Sequence, residues 1–223
     1  MKTSFAAIIA ALAVTAPANA ATLKGVVVAH KGHTISVAVA SGRVTRVKGD
    51  ARVGARVVAS AGHVRVIGRA HRARVRGVVV KRLRSAFLLS AGGKTMLLIR
   101  HGRRLADSSP VTGPTPGTVV STVVEIDDQG DLDEQETDEL GDASTVEVEG
   151  VLAADVAAGA TSIVVLVEHG IPVTVQIPAS LKLPAMKKGD EIDLKATVDG
   201  TTLTATKVES GDDGEQNDEG DDD

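Results

Sequence analysis

Apolar and polar residues alternate along much of this chain, the period-two signature of half-buried β-strands. The strictest run is Ile171, Val173, Val175 and Ile177, interleaved with Pro172, Thr174 and Gln176. Three segments open alike: Gly25-Val26-Val27-Val28, Gly77-Val78-Val79-Val80 and Gly150-Val151-Leu152. Each is followed by a hairpin pattern: Thr34–Val39 with Val44–Val47, Ala86–Ser90 with Thr95–Arg100, and Ser162–Val167 with Ile171–Ile177. Each copy then passes through a loop ending in Gly into a second hairpin. In the first copy this is Ala55–Ala59, a turn at Ala61-Gly62, and His63–Ile67. In the second it is Thr118–Ile126, a turn at Asp127–Gly130 and an acidic return strand. In the third it is Glu191–Val198, the turn Asp199-Gly200, and Thr201–Val208. Asp-Gly between alternating strands predicts a type I′ turn, which needs positive φ.

Five short strands per copy and no helical periodicity predict an all-β chain of tandem small antiparallel barrels of the OB kind, which curl to close their edges. A β-sandwich is the alternative. The units run over 22–74, 75–142 and 145–209, the second interrupted by a Pro/Ser loop at 108–117. Domains of this size are marginal alone, and with no Trp, no Tyr and two Phe these lack the usual large buried rings. Neighbouring units are therefore expected to pack together.

Residues 1–20 read as an address. Lys2 is a positive n-region, Phe5–Val14 an apolar h-region, and Ala18-Asn19-Ala20 an A-x-A cleavage site. The apolar run is too short to span a bilayer, which needs about 20 residues, and there is no twin-Arg. The expectation is Sec-type export, a mature chain beginning at Ala21, and a periplasmic, cell-envelope or secreted location. No second stretch of spanning length follows, which predicts a soluble mature protein with no transmembrane segment.

The formal charge of −4 hides a split. Thr22–Ala106 carries 19 cations against one acid, Asp50, a net of +18; Asp107–Asp223 carries five lysines against 28 acids, a net of −23. Such asymmetry points to polyanion binding by one half, cation binding by the other, or attraction between them. The tail, 210–223, is acidic and Gly-containing with no apolar residue and is expected to be disordered. Zero Cys excludes disulfide scaffolds, thiolate metal sites and a Cys nucleophile. The absence of G-x-S-x-G, H-E-x-x-H, P-loop and Rossmann fingerprints leaves no enzymatic role to assign, so no enzyme is expected.

One resemblance rests on specific residues. Gly150-Val151-Leu152, Lys188-Gly189-Asp190 and the run from Leu194-Lys195-Ala196-Thr197-Val198-Asp199-Gly200 through Glu209 resemble a bacterial exported repeat, domain-of-unknown-function family 5666. The likeness is best over Val146–Glu209 and weaker over the two basic units. It implies an OB-like β fold and an envelope or extracellular setting, and carries over no catalytic residue.

The sharpest basic feature is Gly68–Arg84. If extended, it puts Arg72, Arg74, Arg76, Arg82 and Arg84 on one face and Val75, Val79 and Leu83 on the other. Guanidinium groups on such a ridge grip phosphates or carboxylates in forked pairs. The candidate partners are extracellular DNA, teichoic-type polymer, anionic lipid or acidic polysaccharide; packing against the chain's own acidic half, or self-association through opposed charges, is the other reading. The acidic counterpart is Glu125–Asp142. Gly130 at the turn with Asp127, Asp131, Asp133 and Glu136 gives a weak likeness to a calcium loop, although Gln129 departs from its pattern. A solvated acidic hairpin is the alternative, and no cofactor beyond weakly bound calcium is expected. His30 and His33 flank a tight turn at Lys31-Gly32 and read either as surface histidines or as part of a metal site.

Overall fold

A computed structural model of the chain describes residues 22–60, 63–102 and 113–210. The expected leader, the Ala61-Gly62 turn, the first half of the Pro/Ser loop and the tail from Gly211 lie outside these residues. The protein is all-β: the only helical element among the described residues is one 3-10 turn, Glu168–Gly170.

The first unit holds β1 (Leu23–Lys31), β2 (Thr34–Ala38), β3 (Val44–Lys48), β4 (Ala55–Ser60) and β5 (His63–Arg69). The second holds β6 (Arg72–Arg82), β7 (Ala86–Ala91), β8 (Thr95–Arg100), β9 (Thr118–Ile126) and β10 (Leu132–Asp142). The third holds β11 (Thr145–Leu152), β12 (Ser162–Leu166), β13 (Pro172–Gln176), β14 (Glu191–Asp199) and β15 (Thr202–Ser210). Every unit has the same order, with its first strand between the second and the fourth. The second and third close into five-stranded barrels, the OB-type arrangement. Each closes through a short parallel pairing of third and fifth strands, Leu132↔Ile99 with Asp133↔Arg100, and Gln176↔Thr204.

The first unit stays an open sheet, β3-β2-β1-β4-β5. At its seam Val64 of β5 packs where a side chain on Gly49 would stand, so the two edges meet by packing instead of a ladder. Its interior is correspondingly thin, with Val27, Ile35, Val37, Ala51, Ala55 and Val57 as its buried core.

Two sets of glycines show why the repeat is built from these residues. At Gly25, Gly77 and Gly150 a Cβ would overlap the carbonyl oxygen of Ala38, Ser90 and Leu166 respectively, on the neighbouring strand. Only Gly permits that approach. Gly54, Gly117 and Gly189 take φ of 85°, 89° and 91° in turns closed by Ala55 N–H to Arg52 O, Thr118 N–H to Thr115 O, and Asp190 N–H to Lys187 O. These are type II turns, whose third residue requires positive φ. One expected turn is corrected: Asp199 pairs with Thr202, so the two-residue loop is Gly200-Thr201. Gly200, φ 56°, holds the first central position, as type II′ requires.

The units pack on one another. β7 is buried along its whole length: Phe87, Leu89 and Ala91 fill the second barrel, while Leu88, with Met96 and Val80, joins the core of the third. Val28, Ala38 and Val44 of the first unit pack against the second. Ser36 and Thr95 share a buried hydroxyl–hydroxyl hydrogen bond of 2.8 Å across that junction, and the Ser90 hydroxyl donates to Glu147 O at 2.6 Å.

Candidate cationic groove

The alternation of β6 holds for its first half. Ala73 and Val75 point into the second barrel, and Arg72, Arg74 and Arg76 stand exposed on its outer side. It then breaks. The register against β7 steps from Val79↔Leu89 to Lys81↔Leu88, leaving Val80 as an extra residue in a β-bulge. A bulge advances the chain one residue without a partner and so inverts the alternation beyond it. Lys81 consequently faces outward with Leu88, its ammonium donating to Pro172 O at 2.5 Å. Arg82 pairs with Phe87, on the side of the barrel interior, and Arg84 lies in the following turn. The expectation that all five arginines share one face is thus corrected: three share it, and the bulge separates Arg82 and Arg84 from them.

What joins the first three comes from elsewhere in the chain. Val27 and Val57 face into the first unit, and Gly25 pairs with Val57. Lys24 of β1 and Arg56 of β4, each one residue from an inward position, therefore stand exposed on the other side. This parity is set by the β1–β4 register, Lys24↔Val58 and Val26↔Arg56. The outward side meets β6 along a groove of about 300 Å³ lined by Lys24, Arg56, Arg72 and Arg74, with Val26, Val39, Ala40, Ile67 and Ala73 as its apolar part. No acid lines it. Arg76 is outside this lining; its backbone N–H donates to Gly42 O of the first unit at 2.8 Å.

Sequence reasoning missed Lys24 and Arg56. The alternation marks both as outward-facing, but nothing local says that this face of the first unit lies against β6.

Among the described residues the acidic half reaches the ridge at Arg74, one of the cations that line the groove. Arg74 donates to the Ser121 hydroxyl at 3.3 Å and lies 3.9 Å from the Asp138 carboxylate, a pair exposed on both sides and so worth little. Arg72 is in register with Glu125, whose carboxylate accepts from the Gln135 amide at 2.9 Å. Among the described residues no carboxylate lies within ion-pair distance of Lys24, Arg56 or Arg72.

The proposed calcium residues are not brought together. Asp127 caps the β9–β10 turn, its Oδ1 accepting from the Gln129 and Asp131 N–H groups at 2.8 and 2.9 Å. Those backbone hydrogen bonds, the one from Asp131 foremost, hold its carboxyl below the usual range. Asp131 pairs with Arg100 at 2.6 Å, while Asp133 and Glu136 lie along β10. His30 lies 3.3 Å from Asp50, and His101 shares a 2.7 Å hydrogen bond with Glu134. Among the described residues no three His, Asp or Glu side chains gather as metal ligands, and no helix is long and apolar enough to cross a membrane.

The chain matches no protein-family model and no curated protein.

Proposed function

We propose that this is an exported, non-catalytic binding module of the bacterial envelope or its surroundings, which holds an extended polyanion along the groove between the first unit and β6. The observation that supports the reading is the lining itself, which among the described residues holds four cations, no acid, and an apolar floor. Three guanidinium groups offer forked donors to phosphate or carboxylate, and Lys24 adds a compact charge. The chain has two Phe and no Trp or Tyr, so bases have little to stack on. The ligand is therefore recognised through its repeating anions, whether they belong to DNA, teichoic-type polymer or acidic polysaccharide.

The test is binding to heparin, duplex DNA, teichoic polymer and anionic vesicles across a salt series. Wild type is compared with Lys24→Ser/Arg56→Ser and with Arg84→Ser. Losing two phosphate contacts should flatten the slope of log K against log salt on DNA by about two, while Arg84→Ser should bind as wild type does. A wild type that binds none of the four at low salt, or a double variant that binds unchanged, refutes the reading.

A further inference from the structure

Among the described residues β5 is laddered to β4 alone, and past the seam contact of Val64 with Gly49 its outer edge is open. Beside it lies a groove of about 690 Å³, whose lining includes Ala51, Val53 and Ala55 from the approach to β4, and Val66 and Arg69 from β5. A second edge is open on β10. It pairs with β9 along its length but with β8 only at Leu132 and Asp133, so among the described residues no strand flanks its other side from Glu136 to Asp142.

These edges are opposite in charge and alike in one respect. β5 carries His63, Arg65 and Arg69 and no acid; β10 carries Glu136, Asp138, Glu139 and Asp142 beyond the closure and no cation. Four large apolar side chains stand exposed among the described residues, and three are on these two edges: Val66 at 54%, Ile67 at 44% and Leu140 at 48%. An open strand edge is a template for pairing. Like charges oppose β5–β5 and β10–β10 contacts, while unlike charges favour β5 with β10.

One copy cannot make this contact with itself. The β9–β10 turn, Asp128–Gly130, lines the same groove as Val66. Leu140 lies just beyond Glu139, whose partner Val120 is six β9 residues from Ile126, the partner of Leu132; at roughly 3.3 Å per residue that is about 20 Å from the turn. We infer that the β10 edge of one copy adds to the β5 edge of a second, with Leu140 entering the apolar groove beside Val66 and the flanking acids facing Arg65, since Arg69 is held by Asp128 of its own chain at 2.8 Å. Such a contact is heterologous, because each copy keeps one edge free, and it propagates into rings or open chains. Ile67 also floors the cationic groove, but the two side chains the contact rests on, Val66 and Leu140, do not, so each reading can fail without the other.

The test is sedimentation of the full chain without polyanion, from about 50 mM to about 500 mM NaCl, over a concentration series. Wild type should exceed two copies at low salt and fall towards one at high salt. Val66→Asp and Leu140→Asp, both at exposed sites, should each run as one copy. Their equimolar mixture should run as two copies and no more, because each supplies the edge the other lacks. Three results would overturn the inference: a wild type that stays single, either variant assembling alone as wild type does, or a mixture that stays single. Rescue by mixing also shows that both variants are folded.

Discussion

Replacing Glu149 by Gln tests how the third barrel is tied to the first unit. Glu149 stands on β11 with 9% of its side chain exposed. It accepts from the Lys31 ammonium at 2.9 Å and from both terminal nitrogens of Arg46, the Nη2 contact being 3.3 Å. Lys31 also pairs with Glu191. Burial pushes the Glu149 carboxyl up, but the hydrogen bonds and charges of Lys31 and Arg46 outweigh it and hold the group below its ordinary value. A hydrogen bond to a charged group contributes about 1.5–3 kcal/mol. Here Gln keeps one acceptor oxygen, and Lys31, 60% exposed, regains water and retains Glu191. The expected loss at neutral pH is therefore about 1–2 kcal/mol, or about 3–6 °C in melting temperature for a chain of this size.

The pH dependence carries the sign. The folded-state value is depressed, so the contribution of Glu149 is full above its ordinary value of 4.5 and is lost as pH falls through the depressed one. Lys31 behaves in the opposite sense. Desolvation lowers it, but the hydrogen bonds to Glu191 and Glu149 raise it above its ordinary 10.5, so its share persists below that value and fades as pH rises past it. Urea unfolding of wild type and Glu149→Gln from pH 3 to pH 9 should show a constant gap above about pH 5 that closes on the acid side. A variant equal to or more stable than wild type at pH 7, or a gap unchanged down to pH 3, would refute the reasoning.

Gly77→Ala should lower the urea midpoint by the equivalent of at least about 2 kcal/mol, because the new Cβ overlaps the Ser90 carbonyl oxygen; an unchanged midpoint would mean that β6 and β7 can separate there without cost. Leu88→Ala removes a fully buried side chain between the second and third barrels and should cost about 2–5 kcal/mol in the same assay. A loss below about 1 kcal/mol, by comparison with that range, would show that the two barrels do not share this core.

Much of the architecture was legible in the sequence because its determinants are local. Period-two alternation marked the strands, and glycines at matching places marked the three copies; that those glycines serve close backbone approaches and type II turns came from the structure. The division of charge was equally plain, being a matter of counting. What depended on distant partners was not legible. An extra residue at Val80 looks like any other valine until its pairing with β7 is known, and it is this residue that parts Arg82 and Arg84 from Arg72, Arg74 and Arg76. Gly200 rather than Asp199 leads its turn because the β14–β15 register is set by burial along both strands, not by the dipeptide. Asp127 and Asp131 look like ligands in a row, but the turn commits one to backbone N–H groups and Arg100 engages the other. The first unit shares the strand order of its neighbours yet remains open, with Val64 packed at the seam. Lys24 and Arg56 meet Arg72 and Arg74 because one sheet packs against the next barrel. Alternation tells each side chain which of two faces it takes; what lies opposite that face is decided by tertiary packing.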